Sequence, residues 1–321
     1  MSIDTIDDVA KLGGQLRTEV AKAVVGQDAL VDMISIALLA GGHCLLEGPP
    51  GTAKTLMAQC FARAAGLGFG RIQFTPDLMP GDILGSNLFN FQTSAFTLTK
   101  GPIFTELLLA DEINRTPPKT QAALLEAMQE RRVTINGETH TLSPRFTVLA
   151  TQNPIEQQGV YPLPEAQLDR FMFKLIVGYP DAAEERRIVA EHGGRFKAPA
   201  AGDFGVMQIA DAATIAAAID VVSKVRLADE IIDYIVRLVR ATRATADLEC
   251  GASPRAASLL ARAACASAAL DGRTYTIPDD VKRLAPSVLR HRLILSPAAE
   301  IDGRNIDTVV DELVTATEVP R

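Results

Sequence analysis

Tryptophan is absent from the sequence, and phenylalanine and tyrosine are few among its 321 residues. Alanine, leucine, valine and isoleucine must therefore fill most of the core, which suits a helix-rich α/β protein. Metal-ligand spacings are also lacking among the four cysteines, Cys44, Cys60, Cys250 and Cys265. Because Cys44 and Cys60 lie in apolar stretches, we interpret them as reduced thiols of the core.

Long apolar runs are missing too, since no stretch reaches the roughly 20 residues that a membrane-spanning helix needs. The N-terminus lacks the charged-then-apolar pattern of a signal peptide, so we expect a cytoplasmic protein without a membrane span. Basic charge is not in excess, because the formal net charge is −7. Proteins devoted to bulk nucleic-acid binding are usually basic, so the composition gives no support to that class.

The organising motif of the chain is a glycine- and proline-rich stretch, GPPGTAKT. An apolar run precedes it and a helical pattern follows it, which is the context of a phosphate-binding loop. Glycines let backbone N–H groups turn toward phosphate oxygens, and the following helix adds its positive end. Lys54 is predicted to contact the terminal phosphates, and the Thr55 hydroxyl to hold Mg²⁺. The predicted binding residues are Gly48, Pro49, Pro50, Gly51, Thr52, Ala53, Lys54 and Thr55.

Ala53 departs from the general motif, which usually has glycine before the lysine. Alanine costs little at this position if its φ angle is negative, so we interpret the stretch as a variant of the loop. The alternative is a glycine–proline turn that happens to precede Lys54. The flanking strand and helix patterns favour the phosphate-binding interpretation.

Two acids follow a short continuous apolar run, residues 107–110, which is typical of a strand buried on both faces. Acids at the end of such a strand are costly unless a cation or water occupies them. In a nucleotide site Asp111 would bind the Mg²⁺ shell, and Glu112 would polarise the attacking water. The alternative is a pair of surface acids that cap a strand.

Asn153 leaves another predicted buried strand, residues 146–150, at the same sheet edge as Asp111. Its amide could orient the γ-phosphate or the attacking water; the alternative is an ordinary turn residue before proline. Arg170 precedes the last predicted strand, residues 173–177. It could form an ordinary surface ion pair, or it could offer its charge to the nucleotide of a neighbouring subunit.

Val25 and Gly26 lie in a break between two predicted helices, residues 1–24 and 28–40. The break could contact an adenine ring, but the sequence alone favours a plain turn between helices. Helical spacing in the first segment allows an interruption at Gly13-Gly14.

Two β-hairpins interrupt the alternation of strands and helices. Residues 88–99 alternate around a polar turn, and residues 133–141 alternate around Asn136-Gly137, a strong two-residue hairpin pattern. The first is either an ordinary edge hairpin or an inserted loop that touches a partner or substrate. Between them, Thr116 is predicted to cap a helix that begins at Pro117.

After residue 180 no strand pattern is convincing. Helices are predicted at 181–192, 210–225, 229–244, 254–270 and 278–290, with a linker at 193–205. We therefore expect a nucleotide-binding α/β core over residues 1–180 and a helical domain over residues 181–321. Arg255 lies in the first turn of its helix, against the helix dipole, which indicates either a nearby anion or a misfit of about a few tenths of a kcal/mol.

The order of these motifs resembles the AAA+ ATPases, and more closely the MoxR family, across nearly the whole chain. The matching strings are GPPGTAKT at 48–55, LADEINR at 109–115, ATQNP at 150–154 and LPEAQLDRF at 163–171. Alanine at position 53 is what this family usually carries. The resemblance implies an AAA+ P-loop core with a five-stranded parallel sheet, β-hairpin insertions and a C-terminal all-α lid domain.

The resemblance also implies a role for each matched residue, with ATP and Mg²⁺ as cofactors. The roles are Walker A for Lys54 and Thr55, Walker B for Asp111 and Glu112, sensor 1 for Asn153, arginine finger for Arg170 and sensor 2 for Arg255. Because the lid is displaced in this clade, Arg255 could act in its own subunit or in a neighbour.

A MoxR-like protein would hydrolyse ATP in a ring, often a hexamer, and remodel or mature partner proteins, frequently with von Willebrand factor A domains. The alternatives are a DNA-remodelling motor, a chelatase-type subunit of the same clade, and a nucleotide-regulated scaffold with negligible turnover. Intact Lys54, Asp111 and Glu112 argue against the scaffold. Residues 133–142 contain no lysine or arginine and the net charge is negative, so we expect no nucleic-acid partner.

Overall fold

A computed structural model describes residues 3–90, 95–153, 160–194 and 201–320. The first 180 residues combine a parallel sheet with surrounding helices and two hairpins. The helices are α1 (Ile6–Ala21), α2 (Asp28–Leu39), α3 (Lys54–Ala65), α4 (Pro80–Leu84), α5 (Pro118–Glu130) and α6 (Glu165–Leu168). The strands are β1 (Cys44–Glu47), β2 (Phe69–Gln73), β3 (Gly85–Asn90), β4 (Ala95–Lys100), β5 (Leu107–Asp111), β6 (Arg132–Ile135), β7 (Glu138–Thr141), β8 (Thr147–Gln152) and β9 (Phe173–Ile176).

Five strands form one parallel sheet in the order β2-β5-β8-β1-β9. In the register of this sheet, Leu45 of β1 lies opposite Ala150 on one side and Lys174 on the other. The central strands β5, β8 and β1 are almost entirely buried, as expected for a sheet with helices on both faces. The predicted five-stranded parallel sheet is confirmed. Since all its strands run the same way, their carboxyl ends meet at one edge.

Both predicted hairpins are present. The strands β3 and β4 pair antiparallel. Of the turn predicted at 92–95, residue 95 begins β4 and residues 92–94 lie outside the described residues. The strands β6 and β7 also pair antiparallel and are joined by Asn136 and Gly137, with φ angles of 51° and 88°. Positive φ at both central residues is the requirement of a type I′ turn, which explains why this dipeptide predicts the hairpin well.

The first helix, α1, is continuous through Gly13 and Gly14, so the predicted interruption there is wrong. A Cβ on Gly13 would lie 2.6 Å from the Leu270 Cδ2 atom, whereas a Cβ on Gly14 would meet nothing within 4 Å. Gly13 therefore serves the close approach of α1 to a C-terminal helix rather than a break in the chain.

The start of α5 also differs from the prediction. Pro117, in an extended conformation, is the N-cap, and Pro118 is the first helical residue. Thr116 is buried, and its hydroxyl donates to the Thr75 carbonyl at 2.9 Å instead of capping the helix. The proline pair starts the helix because proline at the first position loses no hydrogen bond.

The C-terminal part is mainly helical. Its helices are α7 (Ala182–His192), α8 (Ala212–Val222), α9 (Asp229–Ala241), α10 (Pro254–Leu270), α11 (Pro278–Leu289), α12 (Pro297–Ile301) and α13 (Ile306–Ala316). A short antiparallel pair, β10 (Leu248–Cys250) and β11 (Ile294–Leu295), joins them and was not predicted, nor were α12 and α13. Within the predicted linker, Ala201–Phe204 forms a 3-10 helix whose Ala201 is buried.

Two hydrophobic clusters cover the two faces of the parallel sheet. One contains Leu46 and Leu149 together with the apolar faces of α1, α2, α3 and the C-terminal helices. The other contains Leu45 and Val148 with α5 and the β6–β7 hairpin. The C-terminal helices thus share a core with the N-terminal ones, and the domain boundary at residue 180 stays a prediction. Within the described residues, no helix has the length and apolar character needed to cross a bilayer.

Candidate nucleotide-binding site

The predicted phosphate loop connects β1 to α3 at the carboxyl edge of the sheet. Gly51 has a φ angle of 82°, which side chains other than glycine rarely adopt. Gly48 is needed for a different reason, because a Cβ there would lie 2.2 Å from the Val177 carbonyl oxygen. The loop borders a cavity of about 540 Å³ that Lys54 and Thr55 also line. The local sequence therefore builds a glycine-dependent concave site above β1.

Ala53 has a φ angle of 58°. The expectation that alanine costs little here assumed a negative φ, and that assumption is wrong. A left-handed conformation costs an alanine about 1–2 kcal/mol. This residue immediately precedes Lys54, the first residue of α3. The loop thus retains the glycine-like backbone conformation although glycine itself is replaced.

Lys54 is fixed inside the loop by acceptors of the loop itself. Its Nζ donates to the Gly48 carbonyl at 3.0 Å, the Pro49 carbonyl at 2.7 Å and the Thr52 hydroxyl at 3.0 Å. Burial lowers the pKa of Lys54, while the negative charges of Asp111 and Glu112 oppose that shift. The ammonium group lines the cavity, where the oxygens of a phosphate can replace these neutral acceptors.

The Asp111 carboxylate lies beside the Thr55 hydroxyl. The Oδ2 atom of Asp111 accepts from Thr55 Oγ1 at 3.3 Å and from Arg71 Nη2 at 2.8 Å, while Oδ1 accepts from Thr151 Oγ1 at 2.7 Å. Neighbouring ligands of an octahedral Mg²⁺ ion are about 3 Å apart, given bonds of about 2.1 Å. One carboxylate and one hydroxyl at this spacing fit Mg²⁺, which takes its other ligands from water and phosphate.

Glu112 has a φ angle of 57°, an uncommon conformation for a non-glycine residue. Its N–H group donates to the Thr151 hydroxyl at 2.8 Å. Its Oε2 atom accepts from Gln73 Nε2 at 2.6 Å and from Arg115 Nη1 at 3.0 Å. Among the described residues, both side-chain hydrogen bonds to Glu112 go to Oε2, which holds the carboxylate at the cavity rim, so Oε1 can accept a proton from water.

The cavity brings together residues from three separate parts of the chain. Asn153 lines it with Lys54, Thr55, Asp111 and Glu112, although they come from the ends of three strands. This convergence follows from the strand order, which places β5, β8 and β1 side by side. Of the predicted loop residues, Gly48 and Pro50 to Thr55 line the cavity, and Pro49 contributes the carbonyl that holds Lys54.

A second, more apolar cavity of about 210 Å³ adjoins residues 51–53 of the loop. Val25 lines it opposite Ile188 of α7. Gly26 has a φ angle of 75°, and a Cβ on it would lie 2.3 Å from Glu184 Oε1. The break between α1 and α2 therefore packs against α7 and forms one wall of an apolar space beside the phosphate loop.

Arg170 and Arg255 lie away from this cavity within the chain. Arg170 precedes the amino end of β9, whereas the phosphate loop follows the carboxyl end of the parallel strand β1. Arg255 is exposed in the first turn of α10, and its neighbour Ser253 donates to Asp169 Oδ2 at 3.5 Å. Both arginines therefore belong to the sheet edge opposite the loop.

The sequence did not identify Arg71, Gln73, Arg115 and Thr151 as part of the site. Arg71 and Gln73 alternate on β2 and so share a face, but only the sheet order places β2 next to β5. Arg115 stands three residues after Glu112, and this short spacing was the one available indication of their contact.

Two protein-family models match parts of this chain. A model described as the ATPase family associated with various cellular activities (AAA) matches residues 43–173, and an AAA lid domain model matches residues 240–313. Chaperone MoxR1 of Mycobacterium tuberculosis is 44% identical over 312 residues, which cover 94% of this chain and 81% of that protein. The chain belongs to the MoxR family of AAA+ ATPases.

Two further similarities extend over nearly the full length of both chains. Protein MoxR of Methylorubrum extorquens is 31% identical over 97% of this chain and 95% of its own length. A crystal structure of a protein from Cytophaga hutchinsonii is 38% identical and has a TM-score of 0.90, covering 98% of this chain and 97% of that one. The predicted family and the predicted AAA+ fold, with its C-terminal lid domain, are confirmed.

Proposed function

We propose that this MoxR-family protein hydrolyses ATP with Mg²⁺ in a ring of identical subunits and uses the energy to remodel partner proteins. The observation that carries the proposal is the convergence of Lys54, Thr55, Asp111, Glu112 and Asn153 on one cavity. These residues supply a phosphate cradle, oxygen ligands for a metal and a carboxylate for water, which are the parts that phosphoryl transfer to water needs.

Each residue of the cavity has a distinct task in this proposal. The backbone of the loop and Lys54 bind the phosphates, and Val25 and Gly26 border the adenine. Thr55 and Asp111 hold Mg²⁺, which neutralises charge on the phosphate oxygens when it is bound. Glu112 orients and polarises the attacking water, and the Asn153 amide positions the γ-phosphate or that water.

A neighbouring subunit is proposed to complete the site. Lys54 is the one cationic side chain among the described residues that line the cavity. Arg170 lies at the opposite sheet edge, and no described carboxylate is within ion-pair distance of its guanidinium. A head-to-tail ring brings that edge of one subunit to the cavity of the next, so Arg170 acts there and Arg255 acts in the same direction.

The proposed partner is a protein. The β6–β7 hairpin has no lysine or arginine at its tip, and Arg132 at its base pairs with Glu130 at 3.4 Å. Such a surface gives no support to a DNA-remodelling motor. We further propose that the client carries a von Willebrand factor A domain and that the ring is a hexamer. Within each subunit, residues 1–180 would form the core and residues 181–321 the lid. The cytoplasmic location stays a prediction.

The test compares the wild-type protein with Glu112→Gln. The wild type should hydrolyse ATP only with Mg²⁺, and the variant should bind ATP but lose about 10²–10⁴-fold in turnover. With ATP, the variant should also retain a client during purification. DNA should not stimulate hydrolysis. Turnover that survives in Glu112→Gln would remove the assignment of Glu112, and stimulation by DNA instead of protein would overturn the proposed partner class.

A further inference from the structure

A buried arginine joins the lid to the segment that carries Arg170. Arg292 follows α11, and only 2% of its side chain is exposed. Its Nε atom lies 2.7 Å from Asp169 Oδ1, in an ion pair between lid and core. Its Nη2 atom donates to the Asp169 carbonyl at 3.2 Å and the Phe171 carbonyl at 2.5 Å, and Nη1 donates to the Met172 carbonyl at 3.4 Å.

Further hydrogen bonds of Arg292 and of other lid residues strengthen the same contact. Arg292 Nη1 also donates to the Val288 carbonyl, which ties the guanidinium to the last turn of α11. The buried His291 ring donates from Nε2 to the Phe171 carbonyl at 3.0 Å. Burial lowers the pKa of His291 well below its ordinary value, so the ring is neutral. Ser253 at the start of α10 reaches the second oxygen of Asp169.

These hydrogen bonds surround Arg170 on both sides. The lid binds the carboxylate and carbonyl of the residue before Arg170 and the carbonyls of the two residues after it. A buried guanidinium is stable only with well-placed acceptors, because an unmatched buried charge is strongly unfavourable. The planar fork of Arg292 satisfies several acceptors at once, which a lysine ammonium in the same place does not. The backbone of residues 169–172 is therefore fixed relative to the lid.

We propose that Arg292 is a positioning residue for Arg170, through which the lid of one subunit sets the arginine that acts at the nucleotide of the next. The proposal rests on the proposed function of Arg170 in a neighbouring subunit. Among the described residues, the Arg170 guanidinium has no ion-pair partner, so its backbone largely determines where it reaches. A shift of α11 would then move Arg170 and couple lid position to hydrolysis at one interface.

The test uses Arg292→Lys, which keeps the charge and removes the fork. On its own, this variant should show a kcat at least about tenfold lower, with little change in KM for ATP. An arginine finger contributes about 10³–10⁵-fold to kcat, and a misplaced one should lose part of that contribution. Mixed with Glu112→Gln subunits, it should regain activity above either variant alone. At mixed interfaces the Glu112→Gln subunit supplies a correctly placed Arg170, and the Arg292→Lys subunit supplies an intact nucleotide site.

A purely structural role of Arg292 makes a different prediction. If Arg292→Lys only weakened its own subunit, or acted at its own nucleotide, mixing would not restore activity, and that result would overturn the inference. Arg290→Lys is the matched control, because Arg290 pairs with Asp307 at 3.0 Å and has no described contact with residues 169–172. It should leave kcat unchanged.

Two further measurements keep the outcome decisive. If Arg292→Lys fails to assemble, Asp169→Asn, which alters the core side of the same contact, takes its place and is judged by the same mixing result. Arg170→Ala mixed with Glu112→Gln tests the proposed function itself. If ATPase activity rises in this mixture but not in the mixture with Arg292→Lys, the positioning role of Arg292 is refuted and the proposed function stands. If activity does not rise in the Arg170→Ala mixture, the action of Arg170 across the interface is refuted.

Discussion

The Arg71 guanidinium lies 2.8 Å from Asp111 Oδ2, the same oxygen that accepts a hydrogen bond from the Thr55 hydroxyl. The positively charged Arg71 side chain therefore pairs with the same carboxylate that is proposed to bind Mg²⁺. The Arg71 side chain is 46% exposed, whereas that of Asp111 is 13% exposed, so solvent screens the ion pair from the arginine side only. A pair with one exposed partner is worth about 1 kcal/mol, the upper end of the range for surface pairs, so a divalent ion can displace the arginine.

Replacing Arg71 with glutamine should therefore make Mg²⁺ bind more readily. The expected result is an up to about fivefold lower half-saturating Mg²⁺ concentration, because 1 kcal/mol corresponds to about that ratio. The measurement is a Mg²⁺ titration of ATP hydrolysis, supported by a titration of fluorescent-nucleotide binding. Arg71→Lys keeps the charge and should change the midpoint less. A higher Mg²⁺ requirement in Arg71→Gln would show that Arg71 assists the metal instead of competing with it.

Gly48→Ala should damage the phosphate loop through its contact with Val177, the residue that follows β9. The added Cβ would lie 2.2 Å from the Val177 carbonyl oxygen, and backbone atoms at that distance must move. We expect a loss of about 1–3 kcal/mol in the free energy of unfolding, measured in urea, together with weaker ATP binding. Gly178→Ala is the matched control, since a Cβ there meets nothing within 4 Å. Equal effects of the two substitutions would contradict this explanation.

Local patterns predicted much of the fold and the centre of the candidate site. The phosphate loop, the acids after β5 and the Asn136-Gly137 hairpin follow from short-range spacing, which the sequence displays directly. The contacts of Arg71 and Arg292 depend on which elements become neighbours, and spacing along one chain does not contain that order. Their partners, Asp111 and Asp169, are 40 and 123 residues away. The φ angle of Ala53 was mistaken because the loop imposes it against the preference of the residue.

Ala53→Gly should stabilise the protein, although glycine usually destabilises. Ala53 has a φ angle of 58°, and glycine removes the steric cost of about 1–2 kcal/mol. The expected gain is about 1 kcal/mol in the free energy of unfolding, measured in urea without nucleotide. Ala122→Gly is the control and should have the opposite effect, because Ala122 is an exposed residue within α5. Glycine inside a helix should lower the free energy of unfolding by about 0.5–1 kcal/mol. A destabilised Ala53→Gly protein would mean that another conformation is present at this position.

Acid should destabilise the fold through His43, at the amino end of β1. Its Nδ1 atom accepts from the Val148 N–H group at 3.0 Å, and Nε2 donates to the Met128 carbonyl at 3.1 Å, so the neutral ring is required. Burial lowers the pKa of His43 from 6.5 to about 4. The unfolded chain therefore binds the proton more readily, and stability that is complete above pH 6.5 is lost as the pH falls toward 4.

The size of this effect is about 3 kcal/mol for a shift of that extent, since one pKa unit corresponds to 1.36 kcal/mol. Urea unfolding at several pH values between 7 and 4.5 measures it, with His43→Gln as the comparison. The variant should be less stable at pH 7, because it loses one of the two ring hydrogen bonds, and should show a shallower decline with acid. Part of the decline should remain, because burial also lowers the pKa of His291. An unchanged pH slope in His43→Gln would contradict the assignment to this ring.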